Sequence, residues 1–330
     1  MNNTTLKLLA QQLQLSISTV SRALKDHPDI STKTKAKVQA LAQSLDYEPN
    51  AYAIQLRMQN SKIFGVIVPA IANLFYDSFI AAVEEESRKN GYALMILQSS
   101  HNAENELNNL KIFRQNRVSG LFACLSASAE NLDVYHKMNE HEIPVVFFDI
   151  VPKDNSFTKV RMADERCGVI AAENIIKRNA KKVLAIFGDP ALSISQNRKT
   201  SFQNFMKDFS PKTKVYYINA TSSNEASEIF KNNYNKTAKI DTVFCMTDEI
   251  LIGVMKAIQA LQIKVPAEMG VISISNGFIP NLYYPVISYV ETSGFELGKL
   301  AFLQMMAHMQ TGRPVNELTV EAKFIEGGSM

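Results

Sequence analysis

The stretch Ser16-Ile17-Ser18-Thr19-Val20-Ser21-Arg22-Ala23-Leu24 decides the fold of the first fifty residues. Val20, Ala23 and Leu24 recur at the spacing of one helical face. Ser16 is a residue type that caps a helix. The other face carries short hydroxylated side chains and one arginine, which let a helix lie deep in the DNA major groove and bond guanine bidentately. We therefore predict a DNA-recognition helix rather than one helix of a generic three-helix bundle.

Two more short helices surround this stretch. Apolar residues at i, i+3, i+4 and i+7 form one stripe over residues 6–13 and a similar stripe over residues 38–45. The predicted caps are Thr4 or Thr5 for the first helix and Ser31 or Thr32 for the third. Three short amphipathic helices make a very small core, which is marginally stable alone and usually needs support from a partner. We expect a helix-turn-helix headpiece over residues 1–46.

The positive charge of the chain is concentrated in the same segment. The 330 residues carry a formal net charge of only +3. Residues 1–60 hold seven basic and four acidic residues, whereas the remaining residues hold 28 of each. The excess therefore lies where attraction to DNA phosphate requires it.

Residues 47–60 follow as a predicted hinge. Pro49 ends the third helix, and Asn50 is a good cap for a new one. Ala53 is small enough for a second helix to approach closely, and Leu56 is an apolar residue beside Arg57. The alternative is a plain linker with one hydrophobic anchor.

Three blocks of this segment resemble the lac repressor/gal repressor family of bacterial regulators. They are Thr19-Val20-Ser21-Arg22-Ala23-Leu24, then Ile30-Ser31-x-x-Thr34, then Tyr47-x-Pro49-Asn50-x-x-Ala53-x-x-Leu56. The resemblance implies that Ile17, Ser18 and Arg22 contact bases in the major groove. It also implies that Asn50–Gln59 becomes a helix on the operator and that Leu56 of two subunits inserts into the minor groove. One departure is Gln14, which stands where the family usually has glycine, so either Gln14 adopts a positive φ or the turn differs.

The DNA-contact set expected from these patterns and this resemblance combines caps, helix face and hinge. It comprises Thr5, Ser16, Ile17, Ser18, Thr19, Ser21, Arg22, Ser31, Tyr47, Asn50, Ala53 and Leu56.

Residues 61–330 alternate apolar strand-like runs with helical stretches, from the strand 63–68 and the helix 75–90 to the strand 271–275. Such alternation predicts parallel sheets covered by helices on both faces. Two series of similar length predict two doubly wound lobes with a cleft between them. This arrangement resembles periplasmic sugar-binding proteins, whose fold the family shares. With crossovers near 161, 291 and 320, lobe 1 comprises about 61–161 and 292–320, and lobe 2 about 162–291 and 321–330.

Ligands of such sheets bind at the carboxyl ends of the strands. Carboxylates and arginine can bond paired hydroxyls, and aromatic rings can stack on sugar or base faces. The effector-contact residues expected from this rule are Asn73, Phe75, Tyr76, Ser126, Asp149, Arg198, Asp248 and Ser275. The resemblance implies effector contact for Asp149 and Arg198 in particular. Asp248 is equally well explained as a helix cap, and the aromatic residues as core.

Several positions depart from the family pattern in the predicted cleft. Ile150 stands where arginine is frequent, Thr247 where asparagine is frequent, and Ser275 where aspartate is frequent. Asp164-Glu165 replaces a usual Asp-Asn, and Ala220 stands near a frequent aromatic. The predicted cleft therefore holds fewer carboxylates than the family usually has, which weakens the prediction of a simple hexose as ligand.

Other functional classes lack support in the sequence. Three widely spaced cysteines form no CxxC pair, and no run is long enough to span a membrane. The glycine-rich, nucleophile-elbow and zinc-binding motifs of common enzymes are missing, and His136 and His141 are five residues apart. A pure solute-binding protein disagrees with the polar N-terminus and its helices. We expect a cytoplasmic, homodimeric regulator without metal or cofactor, which binds a pseudo-palindromic operator and responds to a small molecule such as a sugar or sugar derivative.

Overall fold

A computed structural model describes residues 5–47, 61–126, 132–236, 240–312 and 317–330. The chain divides into two compact units, Met1–Ser61 and Lys62–Met330. The described part of the first unit is helical, and the second unit alternates strands with helices.

The first unit, here called the headpiece, contains α1 (Leu6–Leu13), α2 (Ile17–Leu24) and α3 (Thr32–Ser44). Its core consists of six buried side chains, two from each helix: Leu9, Ala10, Val20, Ala23, Val38 and Ala42. Gln14 lies in the turn between α1 and α2 and adopts the left-handed conformation with φ 52°. Of the two alternatives for this position, a positive φ is therefore the correct one. A residue with a Cβ adopts this conformation at some cost in conformational energy.

The second unit, here called the core unit, consists of two lobes that are built alike. The first lobe contains β1 (Ile63–Val68), α4 (Leu74–Lys89), β2 (Ala93–Gln98), α5 (Ala103–Gln115), β3 (Gly120–Ala123), α6 (Leu132–Glu140), β4 (Val145–Phe148) and β5 (Thr158–Met162). The second contains α7 (Asp164–Lys177), β6 (Lys182–Phe187), α8 (Ser193–Phe209), β7 (Lys214–Asn219), α9 (Ser223–Lys236), β8 (Thr242–Cys245), α10 (Asp248–Ala260), β9 (Gly270–Ser275) and β10 (Ser288–Glu291). The chain ends with α11 (Gly294–Thr311), β11 (Leu318–Val320) and β12 (Lys323–Ile325).

Each lobe is built on a six-stranded sheet, in the order β11-β5-β4-β3-β1-β2 in the first and β12-β10-β9-β8-β6-β7 in the second. All described pairings are parallel except that of β10 with β12. In both sheets the order reverses beside the first strand of the lobe, between β1 and β3 and between β6 and β8. Such a reversal opens a crevice at the carboxyl ends of the strands. The predicted fold class, a helical headpiece with two doubly wound lobes, is confirmed.

The chain passes between the lobes three times, after β5, after β10 and after β11. After the second passage, α11 packs against α4, and its Leu297, Ala301 and Phe302 belong to the buried core of the first lobe. Neither lobe is therefore contiguous in sequence. Within the described residues, no helix is both long enough and apolar enough to cross a membrane.

Gly168 sets the distance between α7 and α8. A Cβ at this position would collide with the carbonyl oxygen of Arg198 and the hydroxyl of Ser201, and would lie 3.0 Å from the backbone nitrogen of Phe202. Two of these three atoms belong to the backbone, which cannot move aside as a flexible side chain can. Because α8 carries Arg198, the glycine positions a predicted site residue through helix packing.

We expect the substitution Gly168→Ala to lower the free energy of unfolding by about 2 kcal/mol, a drop of about 5 °C in the midpoint of thermal unfolding, because the added methyl overpacks the helix contact. Gly312→Ala is the matched control, since Gly312 has a φ of 67° but no described atom within 4 Å of the added Cβ. The control adds a methyl without a steric clash, so it should lower the free energy of unfolding only by the strain of the left-handed backbone, about 1 kcal/mol. A Gly168→Ala variant as stable as the control would contradict the steric role of Gly168.

Candidate functional site

Three of the predicted DNA-contact residues are the caps of the headpiece helices. The hydroxyl of Thr5 accepts a hydrogen bond from the backbone nitrogen of Leu8 at 3.2 Å. Ser16 Oγ accepts from the nitrogen of Thr19 at 3.1 Å, and Ser31 caps α3 in the same way at 3.2 Å. Helix N-termini present backbone N–H groups and a partial positive charge, which suit phosphate oxygens.

The exposed face of α2 carries the side chains expected to contact bases. Ile17 is 48% exposed although it is apolar, whereas Val20 and Ala23 on the other face are fully buried. Ser18 and Arg22 are also exposed, and Ser21 is half-buried. The Arg22 guanidinium lies 3.8 Å from the carboxylate of Asp29, a surface ion pair that leaves it accessible. An exposed isoleucine among short hydroxyls and an arginine gives a narrow face that can make both apolar and hydrogen-bonding contacts to base edges.

The remaining predicted DNA contacts fall into two groups. Thr19 is half-buried, and its hydroxyl bonds that of Ser16 at 2.8 Å, so it belongs to the cap of α2. Tyr47 packs partly against the headpiece core, and its nitrogen donates to the carbonyl of Ala42 at 2.9 Å. The hinge residues of the prediction, Asn50, Ala53 and Leu56, lie outside the described residues.

A cavity of about 550 Å³ lies between the lobes of the core unit. Seven of the eight predicted effector-contact residues line it: Asn73, Phe75, Tyr76, Asp149, Arg198, Asp248 and Ser275. These residues come from both lobes because they follow the carboxyl ends of strands, and those ends face the same crevice.

Asp149 is the buried acid of the first lobe. Its Oδ2 accepts a hydrogen bond of 2.8 Å from the hydroxyl of Tyr76, and Cys124 Sγ lies 3.6 Å from that hydroxyl. Burial and, to a smaller extent, the nearby Asp164 raise the pKa of Asp149 from 3.8 to about 6, whereas the Tyr76 hydroxyl and Arg198 act in the opposite direction. Asp149 also has a φ of 59°, a conformation in which aspartate and asparagine are enriched among residues with a side chain.

Arg198 is held by a buried partner. Its Nε donates to Asp164 Oδ1 at 2.8 Å, and the two side chains are 7% and 2% exposed. Burial lowers the pKa of the guanidinium, but Asp164 together with Cys167 and Asp149 raises it above its ordinary value. No other described residue accepts a hydrogen bond from Arg198, so its remaining N–H groups are available to the cavity.

Asp248 is the first residue of α10 rather than its cap. The cap is Thr247, whose hydroxyl accepts from the nitrogen of Ile250 at 3.3 Å. The hydroxyl of Ser275 donates to Asp248 Oδ1, and the backbone of Asn276 donates to the same carboxylate. Burial raises the pKa of Asp248, and these two bonds oppose the increase. The alternative of a capping role for Asp248 is therefore wrong.

Asn73, the aromatic residues and Ser126 have different surroundings. Asn73 caps α4, since its Oδ1 accepts from the nitrogens of Phe75 and Tyr76 at 3.0 and 3.3 Å. The rings of Phe75 and Tyr76 contact each other edge to face with centroids 5.7 Å apart. Ser126 does not line the cavity; it is buried, and its nitrogen donates to Glu106 Oε2 at 2.7 Å. The structure therefore does not bring Ser126 to the other seven residues.

Sequence reasoning missed several polar residues that line the cavity, namely His101, Asp189, Ser195, Thr221 and Glu249. Asp164 was noted only as a departure from the family pattern, and its role as the partner of Arg198 was not predicted. Asp189 and Asp164 follow the carboxyl ends of β6 and β5, so the rule that found Asp149 could have found both. No sequence pattern indicates Ser195, whose hydroxyl is buried and has no partner among the described residues. Asn276 donates from its side chain to the carbonyl of Leu74 at 2.8 Å and so joins the two lobes.

Comparison with known proteins agrees with this fold. Residues 5–50 match the model of the bacterial regulatory proteins of the lacI family, and residues 172–330 match a periplasmic binding protein-like domain. The HTH-type transcriptional regulator RegA of Clostridium saccharobutylicum is 24% identical over 329 residues and is covered to 98%, as is this chain. The ribose operon repressor of Haemophilus influenzae is 25% identical over 299 residues, 90% of this chain and 89% of that protein.

Among solved structures, the lac repressor dimer bound to operator and the anti-inducer ONPF superposes with a TM-score of 0.89 at 18% identity, covering 99% of both chains. The matches thus identify a DNA-binding domain of the lacI family in residues 5–50 and a periplasmic binding protein-like domain in residues 172–330, in a chain whose full-length relatives are named as transcription regulators. Its relatives are transcription regulators, in agreement with the expectation of a regulator rather than an enzyme.

We predict that Asp149→Asn stabilises the protein near neutral pH. Because the pKa of Asp149 is higher in the folded state than in the unfolded state, stability falls as pH rises from about 4 to about 6. Above that window the substitution removes the cost of a buried charge, and the free energy of unfolding rises by about 1–3 kcal/mol. Asparagine keeps the acceptor for Tyr76 and tolerates the left-handed backbone.

Denaturant titrations at pH 7.5 and at about pH 4 measure this difference. It becomes small at the lower pH, because Asp149 is then protonated in the folded state and close to half protonated in the unfolded state. Asp149→Ala is the control, since it removes the charge together with the acceptor and the tolerated backbone conformation, and we expect it to be less stable than Asp149→Asn. A stabilisation by Asp149→Asn that is the same at both pH values would contradict the electrostatic cause.

Proposed function

We propose that the protein is a homodimeric repressor that binds a pseudo-palindromic operator and is controlled by a small molecule, a sugar or sugar derivative, bound between its lobes. The observation that carries the proposal is the exposed face of α2, on which Ile17, Ser18 and Arg22 stand beside the helix cap formed by Ser16. On this face Ile17, Ser18 and Arg22 contact bases. Thr5, Ser16, Thr19, Ser21, Ser31 and Tyr47 position the headpiece on the phosphates.

The hinge at residues 47–60 supplies the second DNA contact in this proposal. Asn50 begins a helix that forms on DNA, Ala53 allows the helices of two subunits to approach, and Leu56 inserts into the minor groove. Twofold symmetry of the dimer requires twofold symmetry of the operator. The lac repressor relative is a dimer bound to operator, which supports this assignment.

The cavity is the proposed effector site. Its volume of about 550 Å³ suits a small molecule, and polar side chains from both lobes converge on it among apolar ones. Asp149 and Arg198 offer acceptors and donors to paired hydroxyls, and Phe75 and Tyr76 offer ring surfaces. The name of the ribose operon repressor supports a sugar-related ligand.

Control of DNA binding follows from the position of this cavity. A ligand that contacts both lobes stabilises the lobe arrangement in which those contacts form, and thereby shifts the population of arrangements. The bond between Asn276 and the Leu74 carbonyl already joins the lobes in one arrangement. We propose that such a shift decides whether two hinges come close enough to form their helices. As a DNA-binding regulator, the protein would act in the cytoplasm.

The dimer would use an apolar surface on the second lobe. Phe278, Leu282 and Tyr284 lie in the segment between β9 and β10 and are 58%, 64% and 100% exposed. Three large apolar side chains exposed within seven residues are unusual on a monomer surface and are typical of an interface. A second copy of the chain covers them in this proposal.

To test DNA binding, an operator selected from a random duplex library is titrated in fluorescence anisotropy. We expect Arg22→Ala to weaken binding by about 10- to 100-fold, since one bidentate base contact contributes about 1–3 kcal/mol. Arg166→Ala on α7 is the control, because it removes the same charge from an exposed ion pair in the core unit. Binding by Arg22→Ala within twofold of the unchanged protein would refute the assignment of α2.

To test the dimer, sedimentation equilibrium compares the unchanged protein with the double variant Leu282→Asp/Tyr284→Asp. We expect the double variant to sediment as a monomer, because two carboxylates at the centre of an apolar interface are desolvated without partners. Phe209→Asp is the control, since Phe209 is also apolar and 67% exposed but lies at the end of α8. A monomeric unchanged protein would refute the homodimer, and a dimeric double variant would refute this surface.

A further inference from the structure

The cavity between the lobes carries more negative than positive charge. Four carboxylates line it: Asp149 from the first lobe and Asp189, Asp248 and Glu249 from the second. Among the described lining residues, Arg198 is the one lysine or arginine. His101 also lines the cavity, but burial lowers the pKa of its imidazole, so it contributes little positive charge near neutral pH.

The charge of Arg198 is already balanced. Its Nε lies 2.8 Å from Asp164 Oδ1, and both side chains are nearly inaccessible. The guanidinium can still donate hydrogen bonds into the cavity, but the pair as a whole is neutral. The four lining carboxylates therefore face the cavity without a cation to balance them.

Two of these carboxylates lack a neutralising partner in their own surroundings. Asp149 Oδ2 accepts from the Tyr76 hydroxyl, and no described donor contacts its Oδ1. Asp248 accepts from the hydroxyl of Ser275 and the backbone of Asn276, both of which are uncharged donors. Burial raises the pKa of each carboxyl, and Arg198 opposes this only in part at Asp149.

Two further features of the cavity suit a ligand with a positive charge. Phe75 and Tyr76 line it with their rings in an edge-to-face arrangement, and aromatic faces attract cations. Ser195 Oγ lines the same cavity from the first turn of α8, is buried, and has no hydrogen-bond partner among the described residues. A buried hydroxyl without a partner indicates a polar atom of a ligand at that position.

We propose that the effector is a cationic small molecule, a polyhydroxylated compound with a protonated amino group such as an amino sugar. Its ammonium group lies among the four carboxylates, and its hydroxyls bond Arg198 and Ser195. Anionic ligands such as sugar phosphates are excluded by repulsion from the same carboxylates. This inference rests on the proposed function in one respect, namely that the cavity is the effector site.

The test uses two matched sets of probes in isothermal titration calorimetry with the full chain: glucosamine, glucose and glucose 6-phosphate, and the corresponding galactose compounds. We expect an amino sugar to bind about tenfold or more tightly than its neutral analogue, since one charge-assisted contact of about 1.4 kcal/mol corresponds to that ratio. The phosphates should not bind. A neutral or phosphorylated sugar that binds as tightly as the amine, or no binding of either amine at millimolar concentration, would overturn the proposal.

Asp248→Asn supplies the second arm of the test. It keeps the shape of the side chain and removes one lining charge, so the preference for the amine over the neutral sugar should fall several-fold. Glu296→Gln is the control, because Glu296 is an exposed acid at the start of α11 and does not line the cavity. If a folded Asp248→Asn protein keeps the same preference for the amine over the neutral sugar, the proposal that the ammonium group lies among these carboxylates is contradicted. Operator binding by the same preparations, measured by anisotropy, shows separately whether the proposed regulator function holds.

Discussion

The buried ion pair between Asp164 and Arg198 is the contact on which the geometry of the cavity depends. Asp164 begins α7 at the point where the chain first leaves the first sheet, and Arg198 lies on α8 of the second lobe. Two charges taken out of water are tolerated because they neutralise each other, and loss of one partner from such a pair costs about 3–5 kcal/mol. Gly168 allows the helix approach that keeps the pair in contact. The pair thus fixes which N–H groups of Arg198 remain for a ligand.

The same pair connects the cavity to a passage between the lobes. Asp164 raises the pKa of Asp149 and Arg198 lowers it, so these three groups respond to one another's charge. A ligand that contacts Asp149 or Arg198 changes the electrostatic balance at Asp164, beside the first passage of the chain between the lobes. In the proposed mechanism, few contacts are then needed for a ligand to change the relative stability of the lobe arrangements, because Asp164 already lies where the chain passes between the lobes.

The headpiece was predictable almost to the residue, and the core unit only in outline. Each headpiece helix is defined by a cap and an apolar stripe a few residues apart, so α2 begins and ends where the sequence places it. The strand β5 was not predicted, since Lys159 and Arg161 interrupt its apolar character. Their charges are paired with Glu317, more than 150 residues away. Because β5 was not predicted, the rule for strand ends could not select Asp164, which was noted only as a departure from the family pattern. Ser126 follows a strand as predicted, but its backbone is bonded to the buried Glu106 away from the cavity.

The left-handed backbone of Asp149 restricts how this site can change over evolutionary time. Among residues with side chains, asparagine tolerates that conformation about as well as aspartate, and the codons of the two differ by a single base. One point mutation can therefore remove a charge that lines the cavity while leaving the chain path between β4 and β5 intact. Most other single replacements there disturb the backbone as well. If the cavity is the effector site, as proposed, such a step changes the charge of the ligand that fits it without first disturbing the fold.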